Sequence, residues 1–197
     1  MNDEGLTAMK IIFVLTSAIL GSGLLTLNTH HTPLKTKTTA FKRTEANAAP
    51  IGIVSIIIDK SDYELSVYDD KGWYATYPVV FGNNSLEDKK MEGDNNTPEG
   101  SFKITSKRVH EKWQRFMAID YPTKESWEKF NQRKQRGEIP ANASIGGSIG
   151  IHGTWDHEDF VVDRFKNWTM GCISMKKEDV LEVYGFTPIG TRVTIKK

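Results

Sequence analysis

Among 197 residues the chain has a single cysteine, Cys172. No disulfide can form within it, so the fold must rest on its core. Three states stay open for that thiol: buried and inert, paired with another chain, or reactive. Net charge is also scarce. Lys and Arg number 26 against 25 Asp and Glu, leaving +1, which gives no electrostatic footprint for nucleic acid. The zinc-hydrolase spacing His-Glu-x-x-His is missing, because Val161 stands where its second histidine would fall. There is no internal repeat. Hydrophobic residues make up 38% of the chain, enough for one core in a domain of this size.

A long apolar run is nearly lacking too. Ile11 to Leu27 carries no charge, but falls between a signal-peptide core and the roughly twenty residues of a membrane span. Residues 1–28 are expected to be a signal or a membrane anchor, contacting the membrane. Asp3 and Glu4 precede the run, and Lys35, Lys37, Lys42 and Arg43 follow it, against the positive-inside tendency. Initiation at Met9 would leave Met9-Lys10 as a short positive start. Residues 29–50 are rich in Thr, Lys and Ala and read as a linker. His30-His31 has no third ligand nearby and reads as solvated.

The folded domain is expected over residues 51–197. Ile53 to Asp59 is β-branched and reads as a buried strand. Tyr63 to Tyr68 alternates, and Asp69-Asp70-Lys71-Gly72 turns into Trp73 to Phe81, which predicts an antiparallel meander. Gly82 to Gly100 is a long loop of turn formers, functional or else disordered. Ser101 to Lys107 and Arg115 to Tyr121 read as strands. Thr123 caps a helix that Gly137 stops. Glu178 to Tyr184 predicts a short helix and Thr191 to Ile195 a closing strand. Strands outnumber helices, which predicts an α+β fold with a curved, largely β, sandwich-like core and a few short helices.

The chemistry concentrates between Ile149 and Met175. Ile149-Gly150-Ile151-His152 reads as a strand end, and Gly153 permits a sharp turn after it. Thr169-Met170-Gly171-Cys172 places a hydroxyl three residues before the thiol and a glycine directly before it. A glycine there lets backbone N–H groups converge near the sulfur, as an oxyanion hole requires. A histidine within reach would take the thiol proton. Against this stands the plainer reading of a small core cysteine and a strand-capping histidine. The acidic spacer Asp156-His157-Glu158-Asp159 is expected to be exposed.

These residues resemble the signature of the L,D-transpeptidase catalytic (YkuD-like) family: His-Gly, a spacer, then Ser/Thr-x-Gly-Cys. Gly93-Asp94-Asn95-Asn96-Thr97-Pro98-Glu99-Gly100-Ser101-Phe102 is similar to the family's Thr-Pro-x-Gly segment, and the forms of both motifs resemble the YafK-type branch. The resemblance implies acyl transfer on peptidoglycan stem peptides through a Cys172 thioester, passed to an amine or to water, with a wall-attached protein as a further partner. It implies His152 as base, the Gly153 carbonyl as its orienter, and Gly171, Cys172 and Thr169 as oxyanion donors. No metal and no organic cofactor are implied. The expected location is the cell envelope or periplasm. Many members carry arginine where this chain has Ser174. That departure keeps open a wall-binding module without turnover; a metal-dependent amidase built on His152, His157 and Glu158 is the remaining alternative.

Overall fold

A computed structural model describes residues 39–42 and 49–197. The chain divides into Met1–Leu34 and Lys35–Lys197, and every described residue belongs to the second unit. The expected signal or anchor over residues 1–28, Met9, His30-His31 and most of the linker lie outside the described residues. Among those described, no helix is long and apolar enough to cross a membrane.

The meander forms as its alternation dictates. β2 (Ser55–Asp59) pairs antiparallel with β3 (Glu64–Asp69), and β3 with β4 (Gly72–Val80). Inward residues Ile56, Ile58, Leu65, Val67, Ala75 and Tyr77 are buried, while intervening positions in β2 and β3 are only half-buried. β1 (Phe41–Lys42), inside the expected linker, adds to the outer edge of β4. Lys42 Nζ anchors it at 2.6 Å from Glu182 Oε2.

The later strands turn the sheet into a ring. β5 (Gly100–His110) pairs with β6 (Gln114–Ile119), and β6 with β7 (Gly150–Gly153), both antiparallel. β7 runs parallel to β8 (Ile173–Met175), and β9 (Arg192–Lys196) lies between β2 and β5, parallel to β2. β8 also pairs with β4 through Val79–Met175 and Val80–Ser174. The circuit β4-β3-β2-β9-β5-β6-β7-β8 therefore closes on itself. A mostly β fold with a few short helices is what the alternation predicted; the closure is the new feature, and it removes two free edges.

Among the described residues, three helices complete the fold. α1 (Lys124–Gln135) starts at Thr123, whose hydroxyl accepts the Ser126 N–H, and it buries Phe130. α2 (Phe160–Asp163) falls in the spacer where no helix was predicted, because four residues carry no helical period. α3 (Lys177–Phe186) buries Val180 and Val183.

The Gly82–Gly100 loop is neither loose nor disordered. Two buried lysines organise it. Lys60 Nζ meets Glu99 Oε1 at 2.8 Å, the Glu87 carbonyl at 3.0 Å and the Thr97 carbonyl at 3.3 Å. Lys89 Nζ meets Asp94 Oδ1 at 2.9 Å and the Met91 carbonyl at 3.0 Å. Asp94 also accepts the N–H groups of Lys90, Met91 and Asn96. Burial pushes the Asp94 carboxyl up, but Lys89 and these N–H groups outweigh it and hold the group below its usual value. Asp94→Ala would strand the Lys89 charge and three N–H donors. The expected loss is about 3–5 kcal/mol in chemical denaturation, with turnover falling as well. An unchanged urea midpoint would show that the loop does not depend on this hub.

Candidate active site

The strand period decides which side chains form the site. Ile149 and Ile151 enter the core, so His152 must project from the other face of β7. Ile173 and Met175 enter the same core, so Cys172 and Ser174 also project outward. β7 and β8 are neighbours, with Ile151 opposite Ile173 and His152 opposite Ser174. The two strands thus bring His152 and Cys172 to one outer face. They line a common cavity of about 540 Å³ with Arg108, Trp113, Phe116, Trp155 and Trp168.

Although it leaves the core side, His152 is only 1% exposed. Aromatic rings cover it: Trp113 stacks at 4.2 Å between centroids, Phe116 lies near-parallel at 6.1 Å, and Trp168 meets it edge-on at 5.6 Å. Gly150 makes room for this cover, since a Cβ there would come within 2.6 Å of the Phe116 ring. His152 Nδ1 lies 2.8 Å from the Gly153 carbonyl. A carbonyl can only accept, so Nδ1 carries the proton and Nε2 the lone pair. Burial drives the imidazole pKa down to about 4, against the pull of the Gly153 carbonyl. His152 is therefore neutral, and competent as a base, at neutral pH.

The thiol is tuned in a direction the sequence did not suggest. The expectation was an environment that eases ionisation. Instead burial pushes the Cys172 thiol up, opposed by the Gly150 N–H aimed at it and by the Lys89 charge. Cys172 is half-buried, and its Sγ lies 3.6 Å from the Ser148 carbonyl. The resting pair is thiol and neutral imidazole, not an ion pair.

The turn before Cys172 is braced on three sides. Asn167 Oδ1 accepts the Phe81 N–H at 2.7 Å, and the Trp168 and Thr169 N–H groups reach the Phe81 carbonyl. Gly171 has φ +119°, and a Cβ there would sit 2.8 Å from the Asn96 carbonyl. The Gly93–Phe102 segment thus packs against the turn that carries Cys172. Sequence reading offered the Gly171 N–H and the Thr169 hydroxyl as oxyanion donors. In the structure Gly171 N–H donates to Thr169 Oγ1 at 3.2 Å, and Thr169 Oγ1 donates to the Cys172 carbonyl at 2.7 Å. Both are engaged inside the turn.

The spacer is only partly as expected. Asp156, His157 and Glu158 are exposed, but Asp159 is half-buried. It accepts the Thr154 hydroxyl and the Lys177 N–H, tying the end of β7 to the start of α3. His157 and Glu158 do not line the cavity that holds His152. Among the described residues no three His, Cys, Asp or Glu side chains converge as a metal site would need. Ser174 is fully buried, and its hydroxyl makes no hydrogen bond. The aromatic cover is what sequence reasoning missed. Three of the five tryptophans, Trp113, Trp155 and Trp168, line this cavity, and that enrichment was the available signal.

A closed, mostly β domain with a cysteine and a neutral histidine in one aromatic-lined cavity defines a narrow class. Residues 53–195 match the L,D-transpeptidase catalytic domain (YkuD), and the chain belongs to that family. Over 144 residues it is 29% identical to "Putative L,D-transpeptidase YqjB" of Bacillus subtilis (strain 168), covering 71% of this chain and 69% of that protein. Its fold is similar to the helical cell shape determining protein Pgp2 from Campylobacter jejuni, with a TM-score of 0.54 at 18% identity. That match covers 74% of this chain and 48% of Pgp2. The K307A mutant of Pgp2 gives 0.53 at 21% identity, over 76% and 49%. The chain thus spans about half the length of these solved structures.

Proposed function

We propose that this chain is a cysteine-dependent acyl-transfer enzyme acting on peptidoglycan stem peptides. The observation that carries the reading is the shared cavity of Cys172 and a neutral, tautomer-fixed His152 in an L,D-transpeptidase-family domain. The Cys172 sulfur attacks a peptide carbonyl carbon as its proton passes to His152 Nε2. The Cys172 N–H receives the oxyanion, since the Gly171 N–H serves the turn. The carbon–nitrogen bond breaks, and the imidazolium protonates the departing amine. An incoming amine, or water, then opens the thioester. The features shared with the YafK-type branch favour water, with release of a wall-attached group such as a protein. No metal or organic cofactor has a role in these steps. The same reading assigns the domain to the cell envelope, where that polymer lies.

A second reading has one observation behind it. The buried, unpartnered Ser174 hydroxyl replaces the arginine carried by many members, and a binding module without turnover would tolerate that loss. Purified peptidoglycan fragments, offered with and without an added D-amino acid, separate the cases by mass spectrometry. The proposal expects shortened or exchanged stem peptides at catalytic enzyme levels. Fragments that bind but remain intact would favour the module.

A further inference from the structure

Hairpin tips usually fray, being rich in exposed backbone and poor in packing. The tip between β5 and β6, Glu111-Lys112-Trp113, does not hang free. The Trp113 indole lies between two histidine rings: His152 at 4.2 Å with 23° between planes, and His110 at 4.2 Å with 10°. The β6–β7 ladder ends at Phe116–His152. One contact continues beyond it. The Gly153 N–H donates to the Trp113 carbonyl at 3.1 Å, and that carbonyl also accepts the Arg115 N–H at 2.6 Å. A Cβ on Gly153 would sit 2.6 Å from the same oxygen. Only glycine allows this approach.

Trp113 therefore touches both halves of the base assembly. Its ring face sets the plane of the imidazole. Its carbonyl fixes Gly153, whose own carbonyl holds the imidazole Nδ1–H. We propose that Trp113 is a positioning residue that fixes the plane and the tautomer of His152. This rests on the reading of His152 as the base. Trp113 also lines the cavity, but in this role it acts on the reaction through His152. His110 backs the indole from its far side, so the hairpin tip and the base move as one unit. Orientation of this kind controls rate rather than affinity, because it is expressed as the proton moves.

The test is Trp113→Leu, which keeps apolar bulk but removes the flat face. Nitrogen-15 spectra of labelled histidine read the tautomer without any substrate. The wild type is expected to show His152 as the Nδ1–H form. The leucine variant is expected to show a mixture, with kcat on peptidoglycan fragments at least about tenfold lower and KM within about twofold. A purely structural role would lower the unfolding midpoint and leave tautomer and kcat alone. Should the leucine variant fail to fold, Trp113→Phe, with its smaller ring, is expected to show a detectable second tautomer and a kcat reduced about two- to threefold. Wild-type tautomer and kcat in whichever variant folds would overturn the assignment. If the wild type turns over no peptide while the tautomer still shifts, the positioning stands and the enzymatic reading fails.

Discussion

Cys172→Ala is expected to abolish turnover of peptidoglycan fragments while leaving the fold in place. The two halves of that result have separate causes. The thiol lies outside the main core cluster, is half-buried and touches the Ser148 carbonyl only at 3.6 Å. Trimming one sulfur from such a site should cost about 1 kcal/mol or less. The chemistry has no substitute, because the chain holds no second cysteine. Loss of the nucleophile from a cooperating set is expected to cost at least about a thousandfold in kcat. Cys172→Ser keeps the shape, but its hydroxyl is far less acidic than a thiol, so it should be almost as inactive. His152→Ala should slow both turnover and alkylation by iodoacetamide near neutral pH, since both draw on the same proton acceptor. An inert core cysteine gives the opposite pattern: no alkylation without denaturant, lost stability in Cys172→Ala, and activity unchanged.

The second large effect is on acid stability, and it belongs to His152. In the unfolded chain its pKa is about 6.5, whereas burial in the aromatic cover lowers it to about 4 in the fold. Between these values the unfolded chain binds the extra proton and the native state does not. Stability therefore rises with pH across that window. Put the other way, stabilisation that is complete above about 6.5 is lost as pH falls through about 4. The integral is about 3 kcal/mol. Asp179 acts in the opposite sense. Burial raises its carboxyl to about 6, so the fold gains a proton over much of the same range and loses stability as pH rises through it. The two slopes oppose each other, and the wild-type curve alone is uninformative. The difference between wild type and His152→Gln isolates the histidine. Unfolding free energies from denaturant titrations should fall more steeply from pH 7 to pH 4 for the wild type, by about 3 kcal/mol overall. Parallel curves would mean that His152 is solvated, and the tautomer argument would fall with it.

How much of this was legible before the structure differs by element. β2 was readable from its β-branched run, β3 from its apolar alternation, and β4 from the tight turn that leads into it. α1 was readable from Thr123 to its glycine stop. Ring closure was not, because the parallel β2–β9 and β7–β8 pairs and the β4–β8 contact depend on pairing across long stretches of chain. α2 was too short to show a period. Gly171 and Thr169 marked the turn before Cys172 in the sequence, and in the structure their hydrogen bonds brace that turn. Lys60 and Lys89, fully or almost fully buried, are invisible to composition, since a lysine reads as surface until its partners are known. The cover over His152 comes from Trp113 and Phe116 on one hairpin and from Trp168, which Trp155 packs against, just before Cys172. No local pattern joins those segments. Only the closed sheet does.

Under the proposed mechanism, burial keeps the proton on the Cys172 sulfur, beside a neutral imidazole, until an acyl group arrives. The measurement that meets this most directly is the intact mass of the wild-type protein during incubation with a stem peptide, followed by peptide mapping. The account predicts a mass increase equal to the acyl fragment, located on Cys172, labile to hydroxylamine as a thioester is, and absent from Cys172→Ala. Continued turnover by Cys172→Ala, or an acyl group mapped to any other residue, would contradict it.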